Sequence, residues 1–304
     1  MIKMRYGIPP QIKPLALLNR AFSYMVIPMV LVCFSACSMK VQMVRSMVPL
    51  MDDMNAAVNM NTDIEMVRDA FPFVLIQLDG FITVDPNEDM LLNACEAYSG
   101  YSFAFVEDVD NKRAGRLYSK AREYGIQALK HNGFFAENYK RTDLEFSELL
   151  AGFSRRDVPA LYLTANAWMG WISLNLDDPE TFMDIPKVVA MLNKIIELDE
   201  TYYYGSAHVL LGTYYSVPKA VGGNPEKARY HFNRAFEISD NKMLIFHYLY
   251  AKYYATQSLD KALFTQMLDK VMSSPDTIFP EMGFVNALAK WKAGNLYQKA
   301  DEFF

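Results

Sequence analysis

The sequence predicts an all-α fold, with tetratricopeptide-like helical hairpins packed as a compact α-solenoid. Apolar residues recur at three- and four-residue steps along the chain after residue 60, and no stretch alternates convincingly in the manner of a strand. Helix-capping signals punctuate those stretches at short intervals. The similar segments "NPEKA" and "SLDKA" place Ala228 and Ala262 34 residues apart, the tetratricopeptide period.

Taken in order, Thr62-Asp63-Ile64-Glu65 reads as a capping box that opens the first clear helix, with Pro72 marking a break or kink inside it. "VDPNED" at 84–89 closes that helix and caps the next. Residues 88–107 and 111–131 then form two helical stretches split by "EDVDN", with His131-Asn132-Gly133 as a C-terminal stop. A looser connection, 133–154, surrounds the short helical piece "DLEFSELL". The strongly apolar helix 158–175 carries Pro159 in its first turn, where the missing N–H costs nothing. Residues 185–199 place Val188, Met191, Leu192, Ile195 and Leu198 on one face. Further helices follow near 201–216, 224–239, 242–257, 259–273 and 280–294. Within them, Ala228-x3-Phe232-x2-Ala235 sets small, large and small residues on one face, so that a partner helix can approach. Leu211-Gly212-x2-Tyr215 supplies the matching first helix, and Ala121-x3-Gly125-x2-Ala128 repeats the second-helix pattern.

The start of the chain has a different character. Residues 1–36 hold Lys3, Arg5, Lys13 and Arg20 and no acid, followed by an apolar run ending in small residues before Cys37. That is the layout of an exported leader, and Ser35-Ala36-Cys37 resembles a bacterial lipobox with Phe34 where leucine is usual. The expected organisation is a signal peptide over 1–36, a lipidated N-terminus and tether or first helix over 37–60, and a single all-α domain over 61–304. Cys33 would leave with the leader and Cys37 would carry lipid. Cys95, in the apolar pattern "LLNACEAY", would remain as a buried small hydrophobe.

Without residues 1–36 the chain keeps 26 basic residues against 35 acidic ones, a net charge of −9. No basic footprint for nucleic acid exists on such a chain. No phosphate-binding loop, dinucleotide glycine fingerprint or nucleophile elbow occurs. The histidines, at 131, 208, 231 and 247, never fall three or four residues apart, and no cysteine pair accompanies them, so neither a metal nor another cofactor is expected. The acid pairs Asp177-Asp178 and Glu107-Asp108 sit at helix boundaries, where capping accounts for them. The reading is of a non-enzyme.

Aromatic residues are the distinctive feature: 20 Phe, 19 Tyr and 3 Trp. Packing in the core accounts for much of that excess, but adjacent tyrosines on a helix point in different directions and cannot all be buried in one interface. Trp168, Trp171, Tyr204, His208, Tyr215 and Tyr248 are the candidate ligand-cleft residues. A second feature is "SVPKAVGGNP". In the standard hairpin Tyr215 and Ala228 would be nine residues apart; here they are 13 apart. Pro218, Lys219, Gly222, Gly223 and Asn224 therefore form a shaped loop, a candidate cleft rim or partner edge, with Asn224 capping the next helix and Pro225 in its first turn.

The stretch "YYYGSAHVLLGTYYSVPKAVGGNPEKARYHFNRAFEIS" resembles the TatT family, the tetratricopeptide-like lipoprotein component of some bacterial TRAP transporters. Its Gly222-Gly223-Asn224-Pro225-Glu226-Lys227-Ala228 segment is the most specific match. "DAFPFVLIQLDGFITVDPNEDMLLNACEAYSGYSFAFVED" looks like the family's first helices and "ALYLTANAWMGWISLN" like its Trp-bearing central helix. The resemblance implies a periplasmic lipoprotein, lipid-anchored to a bacterial membrane; Ser38 after the cysteine, where many lipoproteins retained at the inner membrane carry aspartate, slightly favours the outer one. The resemblance also implies a homotrimer that docks a DctP-type solute-binding subunit and a small hydrophobic or carboxylate ligand. The alternative is a tetratricopeptide-type scaffold lipoprotein in envelope assembly. A more distant one is a glycan-capture lipoprotein of the SusD type, whose members are much longer than this chain.

Overall fold

The computed structural model describes residues 39–304, apart from Thr142 and Asp177. The expected leader and the expected lipid site Cys37 lie outside these residues. Residues 39–46 are helical and belong to a unit ending at Met47; Val48–Phe304 form a second unit, to which everything below refers. It is built from helices, with no strand among the described residues. They are α1 (Val48–Met60), α2 (Ile64–Val84), α3 (Glu88–Tyr101), α4 (Asn111–Leu129), α5 (Gly133–Asn138), α6 (Phe146–Leu149) and α7 (Val158–Ser173). Then follow α8 (Pro179–Asp199), α9 (Ser206–Tyr215), α10 (Pro225–Ile238), α11 (Leu244–Leu249), α12 (Lys261–Ser273) and α13 (Gly283–Tyr297).

Several boundaries differ from the sequence reading for identifiable reasons. The first cap is Asp63, whose carboxylate accepts the Met66 N–H at 2.9 Å, so α2 starts one residue later than a Thr62 cap would have it. α2 runs on through Pro72 instead of breaking there, held by Val67, Leu75 and Leu78 on its buried face. α4 stops at Leu129, just before the expected His131-Asn132-Gly133, and Asn132 also starts the next helix: its side chain accepts the Phe135 N–H at 3.1 Å and opens α5. Tyr202–Gly205 do not extend α9. Tyr203, Tyr204 and Gly205 all have positive φ (44°, 60° and 81°), a left-handed bend that reverses the chain between α8 and α9. The rings of this bend hold it in place: Tyr203 stacks on Tyr162 at 5.7 Å, and Tyr204 meets the Phe279 edge at 4.9 Å.

Consecutive helices pack as antiparallel neighbours would in a solenoid: α3 on α4, α7 on α8, α9 on α10 and α12 on α13, with α4 also packed on α7. The last contact is set by residue size. On α4 the buried positions 114, 118, 121, 125 and 128 follow steps of four and three, and four of the five are Ala or Gly. A Cβ on Gly125 would lie 2.5 Å from Thr164 Oγ1 and 3.0 Å from the Thr164 Cα; one on Gly170 of α7 would lie 2.4 Å from the Tyr118 ring. Cys95 of α3 is buried there too and donates its thiol to the Leu163 carbonyl at 3.3 Å. The α9–α10 hairpin repeats the device, with Gly212 against Phe232, whose ring a Cβ would approach to 2.7 Å, and with Ala228 and Ala235 buried on either side.

Polar groups in the interior are mostly matched; Arg122 Nε, Thr181 Oγ1 and both ring nitrogens of His247 are exceptions among the described residues, and His247 is the one with a consequence for pH. It is buried on α11, its ring stacks on Phe236 at 4.2 Å, and neither nitrogen meets a partner of ordinary hydrogen-bond geometry. Burial, with Lys270 nearby, pushes its pKa down to about 3. In the unfolded chain a histidine titrates near its ordinary value of about 6.5. Between those values the unfolded state binds more protons, so stability falls as pH falls, by up to about 1.4 kcal/mol per pH unit. Urea unfolding at pH 7 and at pH 4.5 should show this loss, and His247→Phe should reduce it; an unchanged acid slope in that variant would place the lability elsewhere.

Candidate functional site

Two π-helical turns, Ser102–Val106 and Tyr250–Ala255, interrupt the regular helices and bring charges inward. Glu107 follows the first and Lys252 lies in the second. Tyr118 donates to Glu107 Oε2 at 2.8 Å, and Lys252 donates to Glu107 Oε1 at 3.3 Å and to both Asp108 oxygens at 3.1 Å. Lys292, 4% exposed, lies 3.6 Å from Asp108 and 4.7 Å from the Phe103 ring centre. Capping therefore does not account for Glu107-Asp108, because these carboxylates tie residues 107–108 to Lys252 and Lys292 some 145 to 185 positions later. Within the cluster each carboxylate thus faces an ammonium.

The six cleft candidates occupy four places. Trp168 is buried on α7, its indole N–H donating to Asp184 Oδ2 at 3.0 Å; Trp171 is half-buried one turn on. The Arg122 guanidinium stacks over Trp171 at 4.0 Å and reaches Trp168 at 5.6 Å, with its Nε buried and without a hydrogen-bond partner. Tyr204 stands on the left-handed bend against Phe279. Tyr248 is buried beside the Lys252 cluster, 6.0 Å from that ammonium. His208 and Tyr215 share α9 and meet at a second histidine, His231 of α10.

This hairpin carries a polar cluster that reaches the surface. His208 is buried, and its Nδ1 lies 2.8 Å from His231 Nδ1. Its Nε2 lies 3.1 Å from Glu200 Oε1. Arg234 grips the same carboxylate through both oxygens, at 2.8 and 2.7 Å, and these bonds hold the Glu200 pKa down to about 2. Tyr215 stacks on His231 with rings 12° apart, Tyr230 meets it edge-on, and the Lys227 ammonium sits 5.1 Å from the Tyr215 ring. Burial pushes His231 down to about 4, helped by His208 and Lys227, and pushes His208 down as well. Spacing within one helix could not pair His208 with His231, which lie 23 residues apart; the hairpin pairs them.

The inserted loop begins where α9 ends, on the same hairpin. Lys219–Val221 form one 3-10 turn, Gly222 has φ 99°, and a Cβ on Gly223 would fall 1.6 Å from the Val217 carbonyl oxygen, so no side chain fits there. Asn224 donates its N–H to Tyr215 at 2.8 Å and caps α10 by accepting from Lys227 N at 3.0 Å. Pro218, Lys219, Ala220 and Val221 are exposed. A separate cavity of about 270 Å³ opens beside Thr62, Ile64, Leu244, Asn286 and Lys290; none of the sequence candidates lines it. Among the described residues no group of three or more His, Cys, Asp or Glu could hold a metal ion, and no helix is long and apolar enough to cross a membrane.

Comparison with known proteins gives two results. The family model TAtT, TRAP transporter T-component, matches residues 60–304. An uncharacterised protein of Treponema pallidum (strain Nichols) is similar at 22% identity over 260 residues, 80% of each chain.

Proposed function

The chain belongs to the TRAP transporter T-component family, and from that premise we propose that it is a non-enzymatic, ligand-handling lipoprotein of a TRAP-type uptake system. It works in the periplasm, anchored through Cys37, beside a DctP-type solute-binding subunit, and handles a small hydrophobic or carboxylate ligand. The family match carries this reading, and the α9–α10 hairpin supplies a fitting edge: an exposed loop of constrained shape next to an aromatic, cationic surface. Of the six candidates, which lie in four separate places, Tyr215 is half-buried beside this loop and suits a cleft wall, with His208 buried beneath it. Deleting Lys219–Gly222 should leave the helical circular-dichroism spectrum intact and abolish capture of the solute-binding partner. Intact capture would remove the loop from the docking edge.

A homotrimer fits the outer face of α2, where Met66, Phe73 and Ile76 are 58%, 65% and 70% exposed, with Ala70, Gly80 and Val84 along the same side. The double variant Phe73→Asp/Ile76→Asp should run as a monomer in light scattering with an unchanged helical spectrum. A trimer of unchanged mass would exclude this face as its contact.

A further inference from the structure

The hydrogen bonds of the hairpin fix where its protons are. An ionised carboxylate only accepts, and Arg234 keeps Glu200 ionised, so His208 Nε2 must carry the hydrogen that points at Glu200. In its neutral form His208 then has a bare Nδ1, and the 2.8 Å contact requires the hydrogen on His231 Nδ1. A neutral His231 is left with its lone pair on Nε2, a nitrogen to which no donor is bonded among the described residues. One carboxylate thus sets the tautomer of a second histidine through the first, as a partner group orients a working imidazole. Around His231 stand Tyr215 and His208 from α9, Lys227, Tyr230 and Arg234 from α10, and Glu200 from the turn before α9. Lys227 lies four residues before His231 on the same helix face, and its ammonium and the imidazole both lie against the Tyr215 ring.

From this arrangement we infer that His231 Nε2, Lys227 and the Tyr215 ring form a proton-coupled binding site for the carboxyl group of a small organic acid. The inference rests on the ligand-handling reading above and adds to it which residues take the acid group and what accompanies it. One solvent proton adds to Nε2 as the carboxylate arrives; the imidazolium N–H then donates to a carboxylate oxygen, and Lys227 offsets the remaining charge. No other bond changes. An uncharged molecule of the same shape gains nothing from either cation, and the apolar tail of the acid lies on the Tyr215 and Tyr230 rings. Without the acid, burial keeps His231 neutral through the physiological range, so the positive charge appears only with the ligand.

The test is histidine 15N NMR and calorimetry on the full chain, with hexanoate as probe and hexanol as its uncharged counterpart. Saturating hexanoate should raise the His231 titration midpoint by about three pH units, from about 4 to about 7, roughly a thousandfold preference for the protonated form. Heats in buffers of different ionisation enthalpy should show uptake approaching one proton near pH 6, and hexanol should produce neither effect. His231→Gln should abolish the uptake, and Lys227→Gln should weaken binding several-fold while keeping it. Absence of millimolar hexanoate binding, binding with an unmoved His231 midpoint, or an equal shift with hexanol would each overturn the inference. Should His231→Gln misfold, the wild-type titration alone decides. Partner capture is scored separately: its survival without proton uptake sinks only this inference, and its loss with uptake intact sinks only the transport reading.

Discussion

Gly125→Val should destabilise the protein by about 3 kcal/mol, enough to lower the melting temperature by roughly 6–12 °C. The new Cβ would sit 2.5 Å from Thr164 Oγ1 and 3.0 Å from the Thr164 Cα, and the backbone atom cannot rotate away. α4 and α7 must move apart, which also loosens Ala121, Ala128 and Ala165 in the same layer. Gly125→Ala meets the same first contact and should cost less, because its methyl adds nothing beyond that Cβ. Thermal unfolding followed at 222 nm measures both. A Val variant as stable as the parent would show that the close α4–α7 approach does not support the fold.

Glu107→Ala should cost about 3 kcal/mol or more, because it leaves the Tyr118 hydroxyl and part of the Lys252 charge without a partner in a buried place. Burial opposes the charge on Lys252, yet Tyr253, Tyr248 and the two carboxylates hold its pKa above that of an ordinary lysine. Removing both charges in Glu107→Ala/Lys252→Met should therefore recover part of the loss. Chemical denaturation of the two single variants and the double variant measures the coupling. Additive losses would mean that the pair is not coupled across the turn.

How far the sequence could be read follows from which interactions are local. Helix capping is local, so Asn224 and the Asp85–Asn87 turn were readable from a few residues. The small-residue pattern of α4 and α10 was readable because close helix approach demands it at fixed steps, and Gly125 and Ala228 are buried in those contacts. Pro72 does not break the helix, since packing around Leu75 and Leu78 outweighs one lost backbone hydrogen bond. The left-handed bend at Tyr203 and Tyr204 could not be foreseen, because Tyr162 and Phe279, which hold it, are distant in sequence. The same holds for the polar sites. Glu107 and Lys252 are 145 residues apart, and nothing near either announces the other. His208 stands out in the sequence by its aromatic surroundings, but its partner His231 does not, because the spacing of ligands within one helix says nothing of a pair that a hairpin joins. A double glycine signals conformational freedom, but only Gly222 uses it, and Gly223 is needed for want of space.

Affinity capture of the full chain from its native envelope, followed by mass spectrometry of the companions, tests the central claim most directly. The account predicts a DctP-type solute-binding protein recovered with the wild type and lost with the Lys219–Gly222 deletion. Recovery of envelope-assembly proteins with no solute-binding protein would contradict it.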